Sequence, residues 1–242
     1  FFSNKLTSII IPNTITSIGN SAFGYNATLE NISVNPNNAV YDSRDNCNAI
    51  IETSSNKLIL GSRNTIIPNT VTTIGKEAFY TINIANITIP NSVTTIEARA
   101  FSASKLTSLS IPSSVITIGE DAFMRNPLEN ITVDPDNSVY DSRNNCNAVI
   151  ETSSNKLIQG SRSTVIPNTV ITIGKDAFFG NGRANITIPS SVTTIETNAF
   201  YENEMTNIVI PGSVTSLGST PFFNNPIENR SIDSNNTVYD SR

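Results

Sequence analysis

The sequence has no histidine, no tryptophan and only two cysteines. Without histidine it lacks both the side chain that titrates near neutral pH and the commonest metal ligand. Charged residues make up only 14% of the chain and the formal net charge is -5. No basic cluster is present, so the electrostatic footprint of a nucleic-acid binder is missing. No apolar run approaches the roughly 20 residues of a membrane-spanning helix, and no signal peptide is recognisable. The chain begins at Phe1 inside one repeat and ends at Arg242 inside another. It is therefore expected to be a segment of a longer array, and the missing leader carries no weight.

Cys47 and Cys146 stand 99 residues apart at equivalent repeat positions. Four coils at about 4.8 Å each would separate them by roughly 19 Å, whereas a disulfide needs Cα atoms within about 7 Å. Both are expected to be free and buried, and lone thiols make no zinc site. Asparagine, serine, threonine and isoleucine are abundant instead. That composition is β-rich and extracellular in character, and too apolar and too periodic for disorder.

The dominant feature is repetition. Leu106 to Phe123 reads L-T-S-L-S-I-P-S-S-V-I-T-I-G-E-D-A-F, and Leu6 to Phe23 reads L-T-S-I-I-I-P-N-T-I-T-S-I-G-N-S-A-F. The I-P pair recurs at Pro12, Pro68, Pro90, Pro112, Pro167, Pro189 and Pro211, with spacings of 56, 22, 22, 55, 22 and 22. A period in the twenties marks a solenoid, in which each coil buries its apolar face against its neighbours. Tyr41-Asp42-Ser43-Arg44 returns 99 residues later as Tyr140-Asp141-Ser142-Arg143 and again as Tyr239-Asp240-Ser241-Arg242. One super-repeat thus holds three short coils and one long coil. Short coils start near Leu6, Thr65, Ala85, Leu106, Thr164, Ala184 and Met205. Long coils span 29–64 and 128–163, and a third begins at Ile227. The reading is a mainly β, single solenoid over 1–242 of about ten coils, with short turns or 3-10 segments and β-hairpin inserts in the long coils.

Within a short coil, alternation such as Ile87-Thr88-Ile89, Leu109-Ser110-Ile111, Ile131-Thr132-Val133 and Ile186-Thr187-Ile188 predicts a strand with one buried face. The proline that follows has no N–H for the ladder. V-x-x-I-G is then a second extended stretch on the opposite wall. Its glycine (Gly19, Gly75, Gly119, Gly174, Gly218) is expected at a corner with positive φ. Ala-Phe closes the coil, and stacked coils predict a column of phenylalanines. In the long coils Cys47–Glu52 and Lys57–Leu60 read as a hairpin around the turn residues Thr53–Asn56. Cys146–Glu151 and Lys156–Gln159 repeat it. The hairpin is expected to flank the solenoid with edge-strand character.

The pattern L-x-x-[IL]-x-[IV]-P-x-x-V-x-x-I-G-x-x-A-F, together with V-Y-D-S-R-x-N-C-N-A-[IV]-I-E-T-S-S-N-K-L-I, resembles the repeat and hairpin insert of the BspA-like leucine-rich repeat proteins. The resemblance covers essentially the whole chain. It implies a leucine-rich repeat solenoid from a surface or secreted protein of a bacterium or protozoan. It also implies adhesion to host extracellular-matrix proteins or other microbial surface proteins; glycan is an expectation from the uncharged, hydrogen-bonding strand face alone. Two departures lie late in the chain. Thr220-Pro221-Phe222 replaces x-A-F, and Arg230 stands where Ile32 and Ile131 stand, an inward position costly for a charge unless it lies at an open end.

The outward side chains of the strand before each proline form the candidate recognition face, expected to be concave. They are Asn86, Thr88, Ser108, Ser110, Asn130, Thr132, Asn185 and Thr187, with Ile10, Ile66, Val165 and Val209 at equivalent positions. Threonine also simply suits a solvated strand. Without an aromatic or arginine anchor, weak multivalent contact is expected. Asp134-Pro135-Asp136 with Asp141 could hold calcium, but the first long coil has Asn35-Pro36-Asn37, so a loop turn is the better reading. Arg44, Arg143 and Arg242 are expected to pair locally with carboxylates such as Asp42 or Glu52. Sequons fall at Asn26, Asn31, Asn86, Asn130, Asn185, Asn229 and Asn235. No nucleophile–base pair or metal cluster can be assembled, so no enzyme, cofactor, metal, nucleic-acid partner or membrane insertion is expected. The alternative function is a structural stalk that presents another domain.

Overall fold

The computed structural model describes residues 1–19 and 21–239, and it divides into two compact units, Phe1–Asn126 and Pro127–Arg242. Each unit is a β-solenoid stack. Among the described residues the helices are the two 3-10 turns Arg44–Asn46 and Arg143–Asn145, and none is long and apolar enough to cross a membrane.

In the first unit the V-x-x-I wall is a six-stranded sheet. It runs Tyr41–Asp42, Ala49–Glu52, Lys57–Gly61, Thr73–Ile74, Thr95–Ile96 and Thr117–Ile118. The first three pair antiparallel and the rest parallel. The parallel register places Lys57, Thr73, Thr95 and Thr117 in one row and Leu58, Ile74, Ile96 and Ile118 in the next. The second unit repeats the sheet with Tyr140–Asp141, Ala148–Glu151, Lys156–Gly160, Thr172–Ile173, Thr194–Ile195 and Ser216–Leu217. The hairpin therefore does not flank the solenoid. Its second strand is a rung of the sheet, and Ala49, Ile50, Ile51 and Leu58 are wholly buried. A hairpin strand with apolar residues on both faces has to lie inside a stack.

Beyond each V-x-x-I strand the chain turns through a left-handed residue just before Ala-Phe. Glu77, Arg99 and Asp121 have φ of 58°, 56° and 56°, and Asp176, Asn198 and Thr220 have 55°, 55° and 51°. The predicted positive-φ glycine is not the corner. Among the described glycines only Gly180 and Gly182 have positive φ. The repeat glycine is required by proximity instead. A Cβ at Gly119 would sit 2.4 Å from Ala98 N, and one at Gly218 2.2 Å from Thr197 N.

The Ala-Phe corner carries its own ladder. Phe79 N–H donates to Ala100 O and Phe101 N–H to Ala122 O, both at 2.8 Å. The rings stack as the column Phe79–Phe101–Phe123, with centroids 5.0 and 5.6 Å apart, and as Phe178–Phe200–Phe222 at 4.9 and 5.4 Å. The phenylalanine column is thus present within each unit. Pro221 keeps its carbonyl in the ladder, accepting from Phe200 N–H at 2.7 Å. Three residues after most of these phenylalanines comes an asparagine that ties adjacent coils. Asn126 Nδ2 donates to Phe101 O at 2.7 Å and Phe123 O at 2.8 Å, while its Oδ1 accepts from Leu106 N–H. In the second unit Asn225 does the same with Phe200 O, Phe222 O and Met205 N–H, while Asn203 donates to Phe178 O and Tyr201 O and accepts from Arg183 N–H.

The wall before the prolines is less regular than its sequence. Ser8–Ile11 pairs parallel with Asn31–Val34, and Asn207–Ile210 with Asn229–Ile232. Ile87-Thr88-Ile89 and Ile186-Thr187-Ile188, however, form no ladder strand. The insert explains the interruption. Ile66 N–H donates to Cys47 O and Val165 N–H to Cys146 O, each at 3.1 Å. The first segment after each hairpin therefore lies against a turn containing the left-handed Asn46 and Asn48, or Asn145 and Asn147. A turn offers no strand register to copy. Arg230, in register with Ile208, is exposed.

Candidate functional site on the proline wall

The proline wall displays the expected recognition residues. In the first unit Asn86 and Thr88 are exposed on the unladdered segment, and Ser110 is exposed on the strand Ser108–Ile111. Ser108 is half-buried, and its Oγ donates to Asn86 Oδ1 at 2.7 Å. In the second unit Asn130 and Thr132 are exposed on the strand Asn130–Val133, and Asn185 and Thr187 are exposed on the unladdered segment. Ile10, Ile66 and Val165 are about three-quarters exposed at the equivalent outward positions, and Val209 is also exposed. A β-branched side chain there contributes strand propensity and exposed apolar area together.

Charge is placed elsewhere. Lys57 and Lys156 bridge Glu97 and Glu196 on the opposite wall. Arg99 lies 3.8 Å from Glu77 and 3.7 Å from Asp121 at the left-handed corner. Arg44 is held by Asp42 in a two-pronged contact of 2.8 and 2.6 Å, and its Nη1 reaches Asn56 at 2.8 Å and Thr70 at 3.1 Å. Arg143 makes the same contacts with Asp141, Asn155 and Thr169. Of the two carboxylates considered from sequence, Asp42 rather than Glu52 is the partner. Burial works against the Asp42 and Asp141 carboxylates, but the arginine hydrogen bonds outweigh it and hold both below the usual range. These arginines latch the insert to its own turn and to the next coil. Arg242 lies outside the described residues. Asp134 accepts from Asp136 N–H at 2.9 Å, as Asn35 does from Asn37 N–H at 2.9 Å, so this loop is an Asx turn in both copies. Cys47 and Cys146 are free and buried, and burial raises both thiols above their ordinary value.

Where the ladder is interrupted in the second unit, the wall opens into a groove of about 940 Å³. Asn185 and Thr187 line it with the apolar Val165, Ile166, Ile188 and Val209, and Asp233 stands among its lining residues. Arg183 lines it too and was not foreseen. The signal was available, because Arg183 occupies the place of Ile84 in the preceding super-repeat, 99 residues earlier. Arg183 is only 8% exposed. Its Nη1 donates to Ser161 O at 2.9 Å and Arg162 O at 2.6 Å, and its Nη2 donates to Thr164 O at 2.7 Å. The guanidinium lies 5.7 Å from the Phe178 ring centroid, and its Nε has no acceptor. Burial pulls its pKa down to about 10.

The sequence profile described as BspA type leucine rich repeat region matches residues 1–58, 61–157 and 159–242, with 6 copies. No curated protein matches the sequence significantly. Among solved structures, a leucine rich cell surface protein from Faecalibacterium prausnitzii is 23% identical, with a TM-score of 0.57 over 95% of this chain and 79% of that one. A leucine-rich repeat protein from Eubacterium ventriosum is 24% identical, with a TM-score of 0.61 over 94% of this chain and 61% of that one. At such identities the likeness is one of fold.

Proposed function

The chain belongs to the BspA-type leucine-rich repeat family, and we propose that it is a non-enzymatic adhesion module of a cell-surface or secreted microbial protein. Its partners are host extracellular-matrix proteins or the surface proteins of other microbes. The observation that carries this reading is the division of the surface. Charged side chains are paired on the V-x-x-I wall and at the corner. Outside the second-unit groove and Arg230, the proline wall instead offers amides, hydroxyls and isolated exposed aliphatics. Over those uncharged stretches the face can contact a protein without desolvating charge, and each contact is weak, so strength comes from repetition. The cell-surface description of the Faecalibacterium protein supports the location. The non-enzymatic part rests on the chemistry present. The only thiols are buried and raised, and Asp42 and Asp141 are committed to arginines.

The test is binding of the purified chain to immobilised matrix proteins and whole microbial cells at physiological salt, beside the triple variant Thr88→Lys, Ser110→Lys and Thr132→Lys. All three side chains are exposed, so the variant should fold. Saturable binding lost in the variant is the expected result. Absence of binding to every surface would favour a stalk that spaces another domain.

A further inference from the structure

Arg183 is a cation without a counter-ion. Among the described residues no carboxylate lies within ion-pair distance of it, and its three hydrogen bonds all go to main-chain carbonyls. Its Nε has no acceptor. A buried guanidinium held only by carbonyl dipoles retains most of its charge, and a nearby anion recovers more free energy there than in water. Its neighbour reinforces this. In the first unit Arg63 lies 3.4 Å from Glu30. In the second unit Arg162, at the same repeat position, has instead turned its Nε to Asn181 O at 2.7 Å. Gly182, with φ of 73°, makes room for that guanidinium, since a Cβ there would sit 2.4 Å from Arg162 Nη2. The charged residues that line the groove are thus Arg183 and Asp233, with Arg162 behind them beside Gly182 and with Glu129 and Glu204 exposed on the flanking coils.

Resting on the protein-binding reading above, we propose that the second-unit groove is an acidic-peptide subsite. It takes an extended segment of a protein partner in which one glutamate or aspartate carboxylate meets Arg183, with β-branched residues on either side. Charge complementarity selects the carboxylate. Val165, Ile166, Ile188 and Val209 supply apolar contact for the flanking side chains, and the Asn185 amide and Thr187 hydroxyl can bond a peptide backbone. The lining has no aromatic ring on which a sugar could stack. The first unit, with Ile84 in the equivalent place, lacks the subsite.

The probe is acetyl-Thr-Val-Glu-Val-Thr-amide, followed through the Arg183 Nε–H resonance and the backbone amides of ¹⁵N-labelled chain. The expected result is a saturable shift at Arg183 and Thr187. Affinity should fall at least tenfold for the same peptide with glutamine, and at least tenfold for the Arg183→Ile variant, which borrows the repeat's own residue. If that variant fails to fold, the glutamate-to-glutamine comparison on the natural chain still decides. Equal affinity for both peptides, no shift at millimolar peptide, or equal binding of sodium glucuronate would overturn the proposal. A chain that binds an immobilised partner protein yet shows no peptide shift would sink this subsite and leave the adhesion reading standing.

Discussion

Lys57 Nζ lies 2.8 Å from Glu97 across the Gly75 coil, and Lys156 repeats the contact with Glu196 at 2.7 Å across Gly174. The absent side chain on the middle coil is what lets the ends meet. A Cβ at Gly75 would lie 2.9 Å from Lys57 Cε and 2.6 Å from Leu58 O. Glu97 also accepts from Lys76 N–H at 2.7 Å, so the carboxylate binds three coils' worth of chain together. Gly75→Ala is expected to cost about 1–3 kcal/mol by overpacking against backbone. Lys57→Met, which breaks an ion pair about one-third exposed at each end, should cost less than about 1 kcal/mol. Urea denaturation of both variants checks the order, and a larger loss in the lysine variant would refute it.

Gly61 and Gly19 form a contrasting pair. A Cβ at Gly61 would lie 1.9 Å from Phe79 Cε1, whereas one at Gly19 meets nothing within 4 Å. Gly61→Ala should displace the end of the phenylalanine column and lower the melting temperature sharply. Gly19→Ala should change stability by no more than about 1 kcal/mol, with stabilisation the expected sign. Thermal unfolding by circular dichroism separates the two, and equal effects would contradict the packing described.

The asparagine rung is expected to be worth more than its exposed relatives. Asn126→Ala would leave the carbonyls of Phe101 and Phe123 and the Leu106 N–H without partners in the interior. An unsatisfied buried group costs about 1–3 kcal/mol, so a loss of about 3 kcal/mol is expected. Asn130→Ala, at an exposed position, should lie within about 0.5 kcal/mol of the natural chain. Hydrogen exchange at the Leu106 amide should accelerate only in the first variant.

Acid should loosen the inserts. Asp42 and Asp141 have folded-state pKa values lowered from 3.8. Their contribution is therefore full above the unfolded value and is lost as pH falls through the lower folded value. Stability should hold from pH 7 to pH 5 and decline below about pH 4. Asp42→Asn with Asp141→Asn should be less stable at pH 7 and show a shallower decline. An unchanged acid slope in that variant would place the sensitivity in other carboxylates.

Much of the fold could be read from the sequence because its two strongest signals are steric. The I-P pairs fixed the coil length, and Ala-Phe fixed the interior column, since only a small residue lets the backbone close over the ring. The interruption at Ile87-Thr88-Ile89 was hidden because its alternation matches that of Leu109-Ser110-Ile111. What differs is the neighbouring coil, a long-range property. The glycine was misread for a related reason. Close approach and positive φ both demand glycine, and the left-handed position two residues later is filled by residues as varied as Glu77, Arg99 and Asn198. The rung A-F-x-x-N was visible, but nothing local reveals that its amide is buried. Arg183 needed only comparison of one super-repeat with the next.

The central claim is that recognition belongs to the proline wall, and it is tested most directly by charging the two walls separately. One variant carries Val165→Lys, Thr187→Lys and Val209→Lys, and the other carries Thr94→Lys, Ile116→Lys and Thr215→Lys, all at exposed positions. Both should fold. The affinity of each for an immobilised matrix protein bound by the natural chain is then measured at physiological salt. The account predicts at least a tenfold loss in the proline-wall variant and little change in the other. Loss confined to the opposite wall, or equal loss in both, would contradict it.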